Sequence, residues 1–419
     1  MAHPHSVFQV IRRPRAELLT VGTELLTGTV LNTNAQFLSR ELTSLGIRMT
    51  HQTSCHDEKR AIQEALGRAL LRSEIVVVTG GLGPTPDDVT REALADFFGR
   101  TLVLSRPQWR RVQKYYRAKG QLVPAMVKQE ACFPHHARPL LNRFGIALGF
   151  IVESCGRLVV ALPGVPGELT RLFQFQVAPY LRRRFPKLVP RRALIAKIAG
   201  LSEPTVMKRL GKDFFKQGTF QFGIYPEVGE VTLRIYADSK AFLARLRRSI
   251  ERTLGRDVYA YDEKPLESVI GKLLLKKRYS FAVAESCTGG QIAERITRIS
   301  GASRYFAGGV VAYADSVKVG TLGVSKEALR EGGAVSIRVV RAMAEGVRHR
   351  FGTKLGLAIT GIAGPGGGSR KKPVGRVYIA ISSGKRSAVW NEFFRGDRIQ
   401  IQDRAVKKAL EHLWRWVKG

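Results

Sequence analysis

Residues 74–81, EIVVVTGG, carry four consecutive β-branched apolar side chains, Ile75 to Val78, and close on two glycines. A strand apolar on both faces has to be covered on both faces, as in a parallel sheet wrapped by helices. The flanking segments can supply that wrapping. AELLTVG (16–22) reads as a short apolar strand ending on glycine. TNAQFLSRELTSLG (33–46) places Phe37, Leu38, Leu42 and Leu45 at helical spacing and stops at Gly46. IRMTHQT is a strand, DEKRAIQEALGRALLR (57–72) an amphipathic helix, and DDVTREALADFFG (87–99) a helix opened by two carboxylates. This βαβα rhythm predicts an α/β fold with a doubly wound first domain over residues 15–184, after a short tail, 1–14.

From 185 to 260 the pattern changes. ALIAKIAG, TFQFGIYP and EVTLRIYA read as strands, SEPTVMKRLGKDF and KAFLARLRRSIERTLG as helices, which predicts a small α+β middle domain. The polar, proline-bearing YDEKPLES (261–268) reads as a linker. A C-terminal α/β domain, 265–419, restarts with a helix and the strand YSFAVAE. Its further strands are 308–314, 354–361, 375–382 and 388–395, and its long helices 288–299, 336–351 and 399–417.

Lys and Arg number 69 against 34 Asp and Glu, a net charge of +35. The excess is diffuse: residues 1–100 hold 11 basic and 11 acidic side chains, and residues 101–200 hold 18 and 3. A nucleic-acid binder gathers its charge on one face with aromatics interleaved, so a solvated basic surface that steers phosphorylated small molecules is favoured over specific nucleic-acid contact. No apolar run reaches the ~18–20 residues of a membrane helix, and the N-terminus has no signal-peptide core. Cys55, Cys132, Cys155 and Cys287 form no CxxC pair, which suits a reducing cytoplasm.

Two groups of motifs carry chemistry. In the first domain GTELLTG (22–28), with Thr23 and Glu24, and TGGLGPTPDDVT (79–90) sit at strand ends. The turn through Gly80, Gly81, Gly83 and Thr85 can bring backbone N–H groups to a phosphate. Asp87 and Asp88 can hold a divalent cation that bridges pyrophosphate oxygens. The same residues also read as a Gly-Pro turn with an aspartate N-cap. In the last domain FAVAESCTGG (281–290) puts Ser286 after a strand at the mouth of a helix, where backbone N–H groups and the helix dipole favour an oxyanion. None of these motifs holds a histidine, so Lys318 in VAYADSVK, with Tyr313 five residues before it, is the candidate base. TGIAGPGGG (360–368) is a second glycine-rich turn, and FRGDR (394–398) places Arg398 past a strand. A serine cap, a surface lysine and a packing tyrosine would look the same.

VGTELLTG, LNTNAQFLSRELTSLGI, TGGLGPTPDDVT, LLNRFGIALGF and ALPGVPGEL together resemble the N-terminal half of CinA (competence/damage-inducible) proteins, which is similar to the molybdopterin-binding MoaB/Mog fold. Gly145 to Phe150, GIALGF, departs from the GTAPGF common there. The resemblance implies a metal-dependent ADP-ribose pyrophosphatase using Mg or Co in this half. AESCTGG, Tyr313-x4-Lys318, TGIAGPGGG with KPVG, and the GDR of Arg398 resemble the CinA C-terminal domain, the nicotinamide-nucleotide amidase PncC. That resemblance implies conversion of nicotinamide mononucleotide and water to nicotinate mononucleotide and ammonia in pyridine-nucleotide salvage. It carries Ser286 over as nucleophile, Lys318 as base and Tyr313 as proton relay or positioner. Thr288, Gly289, Gly290, Thr360, Gly361, Gly364 and Arg398 are carried over as substrate-binding residues, Arg398 for the phosphate. The amidase requires no cofactor. Lys371 and Gln402 stand where the family commonly has Glu and Arg. Small nucleotide substrates, a cytoplasmic location and a homodimer are expected. The alternative is a non-catalytic pterin- or nucleotide-binding protein related to competence or DNA damage.

Overall fold

A computed structural model describes residues 13–217 and 220–419; all but the last two residues of the expected tail lie outside these. The chain forms two compact units, to Arg192 and from Ala193.

The first unit is built on a six-stranded sheet. Its strands are β1 (Arg15–Val21), β2 (Arg48–Cys55), β3 (Ile75–Thr79), β6 (Arg138–Leu140), β7 (Gly149–Ser154) and β8 (Arg157–Leu162). A separate small ladder pairs β4 (Leu102–Leu104) with β5 (Cys132–Pro134). The main order is β2-β1-β3-β8-β7-β6, parallel from β2 to β8 and antiparallel at β7 and β6. Strand β3 is buried throughout. Ile75 and Val77 pack on one face with Leu38 and Leu42, while Val76 and Val78 pack on the other with Ile62 and Leu66. Both faces are covered, as the continuous apolar run requires.

The second unit begins with a sheet ordered β10-β11-β9-β12, made of β9 (Arg192–Ala199), β10 (Gln221–Glu227), β11 (Glu230–Ala237) and β12 (Val258–Ala260). The helix Lys240–Leu254 packs Leu243, Leu246 and Ile250 against its Ile198, Leu233 and Ile235. The single helix expected from SEPTVMKRLGKDF is two, Glu203–Leu210 and Lys212–Phe215, because Gly211 takes a φ of 77° that no helix interior allows.

The C-terminal sheet runs β14-β13-β15-β16-β17, with β13 (Phe281–Glu285), β14 (Phe306–Val311), β15 (Leu355–Gly361), β16 (Arg376–Ser382) and β17 (Ser387–Phe393). Strands β13, β14 and β15 are parallel; β16 and β17 are antiparallel. Period-two alternation sorts the layers. Phe281 and Val283 face the helices Leu266–Lys277, Gln291–Thr297 and Arg398–Lys418, and the small Ala282 and Ala284 admit Met343 of the helix Ile337–Arg350. The stretch expected as a linker is shorter than 261–268, because the helix starts at Leu266, where Leu266 and Glu267 are already buried. Tyr259 and Ala260 of β12 belong to the same apolar cluster as Trp414. Among the described residues no helix is long and apolar enough to cross a membrane.

Candidate active site

Three chain segments meet at the ends of the central C-terminal strands. Ser286 follows β13 directly, Thr360 and Gly361 end β15, and Lys318 lies one turn into the helix Asp315–Leu322. With Cys287, Tyr313, Asp315, Ala334, Val335, Ala363 and Arg398 they line a cavity of about 200 Å³. Ser286 and Lys318 therefore meet in one cavity, although they are 32 residues apart in the chain. Lys318 is 1% exposed. Its Nζ donates to the Tyr313 carbonyl at 2.9 Å and to Asp315 Oδ1 at 3.2 Å, with no hydrogen bond to Ser286.

Arg398 opens the helix Arg398–Lys418, whose start is set by a capping box between Asp397 and Gln400. Its guanidinium donates to the Gly364 carbonyl at 2.8 Å and to the Tyr313 hydroxyl at 3.0 Å. The Tyr313 phenol, 61% exposed, is thus held by Arg398, while Tyr313 reaches Lys318 through its backbone carbonyl. Thr360 is buried and donates to the Ala334 carbonyl at 3.0 Å. Gly364 contributes its carbonyl to Arg398 instead of lining the cavity.

The expectation that the helix end at Ser286 serves an oxyanion is corrected by Glu285. This carboxylate, 1% exposed, already occupies the helix N-terminus. Its Oε2 accepts from the Thr288 hydroxyl at 2.7 Å and from the N–H groups of Gly290 and Ile292 at 3.1 Å each; its Oε1 accepts from Ala293 N–H at 2.9 Å. Thr288, Gly289 and Gly290 accordingly form the turn beneath the cavity and not its lining. Gly289 and Gly290 take φ of 61° and 101°, which the turn requires. Sequence reasoning passed over Glu285, whose only signal is an acid at the last position of a buried strand. Burial pushes the Cys287 thiol up to about 12, so it is no rival nucleophile. Lys371 is exposed. Gln402 donates from Nε2 to the Cys287 carbonyl at 2.6 Å, and Arg404, bonded to the Arg395 carbonyl, does not line the cavity.

The first unit has its own cavity of about 450 Å³. Glu24, Gly80, Gly81, Gly83, Asp87 and Asp88 line it, as the motifs suggest. Gly80 is obligatory: a Cβ there would lie 2.0 Å from the Val21 carbonyl oxygen. Thr23 instead bonds Asp57 through its N–H at 2.8 Å and its hydroxyl at 3.0 Å. Thr85 donates its N–H and hydroxyl to Asp88. The helix begins only at Thr90, so neither aspartate is its N-cap. Asp57, Glu130 and Glu168 also line this cavity; Glu168 lies within ALPGVPGEL, but none of the three was singled out by the motifs. Burial pushes the Glu130 carboxyl up to about 7, against the pull of Arg91 and with the repulsion of Glu168 and Asp88. In the departing loop, Leu148 N–H donates to the Glu130 carbonyl at 2.8 Å, and Ala147 lines the cavity. Among the described residues no three His, Cys, Asp or Glu side chains are grouped as a metal requires.

Residues 263–417 match the family description "CinA C-terminal domain", and residues 17–183 match "Probable molybdopterin binding domain". A relative from Caldicellulosiruptor saccharolyticus, named among competence-damage inducible proteins, is 39% identical over 404 residues, 95% of this chain and 98% of its own. A CinA-like protein of Kosmotoga olearia is 39% identical over 407 residues, 96% of this chain and 98% of its own. Among solved structures, the protein CinA from Thermoplasma acidophilum is 36% identical, covering 39% of this chain and 95% of that one, with a TM-score of 0.37.

Proposed function

The chain belongs to the competence-damage inducible (CinA) protein family, and from that premise we propose that its C-terminal domain is a nicotinamide-nucleotide amidase. The observation that carries this reading is the pairing of Ser286 with a wholly buried Lys318 in one small cavity, with Arg398 at its edge. A cavity of about 200 Å³ suits a carboxamide-bearing ring, leaving the ribose phosphate outside near Arg398. Ser286 Oγ attacks the carboxamide carbon and forms a C–O bond; the carbonyl π pair moves to oxygen, and the serine proton passes to neutral Lys318 Nζ. The tetrahedral adduct collapses, the C–N bond breaks, and ammonia leaves with that proton. Water, deprotonated in turn by Lys318, cleaves the ester to nicotinate mononucleotide and restores Ser286. Lys318 Nζ lies 3.2 Å from Asp315 Oδ1.

The test is ammonia release from nicotinamide mononucleotide by the purified full chain. Stoichiometric nicotinate mononucleotide is the expected product, and its absence refutes the reading. For the first unit, the 450 Å³ cavity beside the Gly80–Gly83 turn favours a bound nucleotide or pterin phosphate, with ADP-ribose as the first ligand to assay. A cytoplasmic homodimer acting on small nucleotides is the setting we propose.

A further inference from the structure

The chain carries its excess positive charge diffusely, yet one groove of the C-terminal domain gathers it. The turn SSGKRS, 382–387, between β16 and β17 lies beside the helix Ile337–Arg350, and together they enclose a cavity of about 590 Å³. Arg338 and Arg341 line it from the helix, Lys385 and Arg386 from the turn. Glu345 is the one carboxylate in the lining, and both its oxygens are taken. Its Oε1 lies 2.6 Å from Arg348 and 2.8 Å from His349, and its Oε2 accepts from the Ser382 hydroxyl. These bonds, Arg348 foremost, hold the Glu345 carboxyl down to about 2, so it stays charged and occupied. Ser382, 1% exposed, also accepts from the Gly384 N–H at 3.3 Å and so pins the turn to the helix. Gly384 takes a φ of 80°, and a Cβ there would lie 3.1 Å from the Arg348 guanidinium carbon. Arg338 pairs with Glu331, and the Arg386 guanidinium lies 5.5 Å from the Trp416 ring centroid. Among the described residues Arg341 and Lys385 have no partner.

We propose that this groove binds the phosphate chain of a small di- or triphosphate, at a site that shares no lining residue with the Ser286 cavity. Unpaired cations facing one cavity repel each other, a cost that an anion between them removes. Arginine presents forked N–H donors that match phosphate oxygens, and lysine adds a point charge beside them. Four cations against one occupied carboxylate exceed what a single carboxylate or monophosphate neutralises, which selects a chain of phosphates. No aromatic side chain lines the groove, so a base has nothing to stack on. The phosphates are read and the base is not, which favours a small polyphosphate over single-stranded nucleic acid. Ser382 and Glu345 fix the spacing of the two walls before a ligand arrives, and that lowers the ordering cost of binding.

The test is calorimetric titration of the full chain with inorganic tripolyphosphate, free of divalent cations and at physiological ionic strength, where screening suppresses diffuse attraction to a basic surface. A saturable site is expected, from which ATP and GTP displace the probe alike and AMP does so at least about 10-fold more weakly. Arg341→Ala/Lys385→Ala should weaken tripolyphosphate about 30- to 100-fold, since each side chain supplies a charge-assisted contact. Arg182→Ala/Arg183→Ala removes the same charge from an exposed stretch of the first unit and should change affinity less than about two-fold. Arg398→Ala should leave binding unchanged, which separates the groove from the candidate active site. Ser387→Glu sets a carboxylate in the groove without removing a cation. It should weaken binding about 10-fold, and it decides the matter if the double variant does not fold. The proposal is overturned if no saturable site is found, or if the two charge-removing pairs weaken the probe equally. It is overturned too if Arg341→Ala/Lys385→Ala loses only a single-stranded oligonucleotide and keeps tripolyphosphate. None of these outcomes depends on whether the chain releases ammonia.

Discussion

Ser286 and Lys318 act in the proposed reaction as one unit, so their losses should not add. Ser286→Ala is expected to abolish nearly all deamidation, and Lys318→Ala to fall comparably, because an unactivated serine is a poor nucleophile. The double variant should be little worse than either, by steady-state ammonia release. Tyr313→Phe should act mainly on KM, since its hydroxyl meets Arg398 and not Lys318. Glu130 gives a second test at this scale. Its carboxyl is raised from 4.5 to about 7 in the folded state. From about pH 4.5 to 7 the unfolded chain ionises this group while the folded chain keeps its proton. The stability it contributes is therefore full below 4.5 and is lost as pH rises through 7. Glu130→Gln removes that loss. Its Tm should gain on the wild type between pH 5 and 7.5, and a constant difference across that range would contradict the assignment.

The helix Arg398–Lys418 is the element that ties the second unit together. At its start Arg398 and Gln402 hold the Gly364, Tyr313 and Cys287 segments. Near its end Trp414 is fully buried with its ring centroid 6.2 Å from that of Tyr259, and Arg415 bonds Asp257 at 2.8 Å. Trp414→Ala should cost about 3–5 kcal/mol, read as a lower urea midpoint for unfolding of the second unit. Arg398 and Ser286 ought to keep their roles in whatever fraction stays folded, so kcat per folded molecule should change little. A collapse of kcat without loss of stability would contradict this division of labour along the helix.

At the scale of the whole molecule, the two cavities lie in separate compact units, each with its own core. Asp88→Asn, in the first, is expected to leave deamidation unchanged while weakening any nucleotide binding there. A chain beginning at Pro265 should fold and deamidate, because the helix starting at Leu266 and all five strands of the C-terminal sheet remain. It should be less stable than the full chain, since it uncovers Trp414 and removes the Asp257 partner of Arg415. Insolubility of that shortened chain would place the boundary earlier, before β12.

What the sequence alone determined is whatever depends on neighbouring residues. The four-residue apolar run of β3, the strands of the C-terminal sheet and the glycine-rich turns are local patterns of neighbouring residues. Ser286, Lys318, Thr360 and Arg398 were legible as residue types beside such turns. Tertiary structure alone decided which partners those residues have. Glu285 fills the helix end at Ser286, Tyr313 turns its phenol to Arg398, Gln402 grips the Cys287 carbonyl, and Glu130 enters the first cavity. The reason is distance along the chain. Gln402 and Cys287 are 115 residues apart, and only the closing of a sheet between them brings a donor to within 2.6 Å of its acceptor.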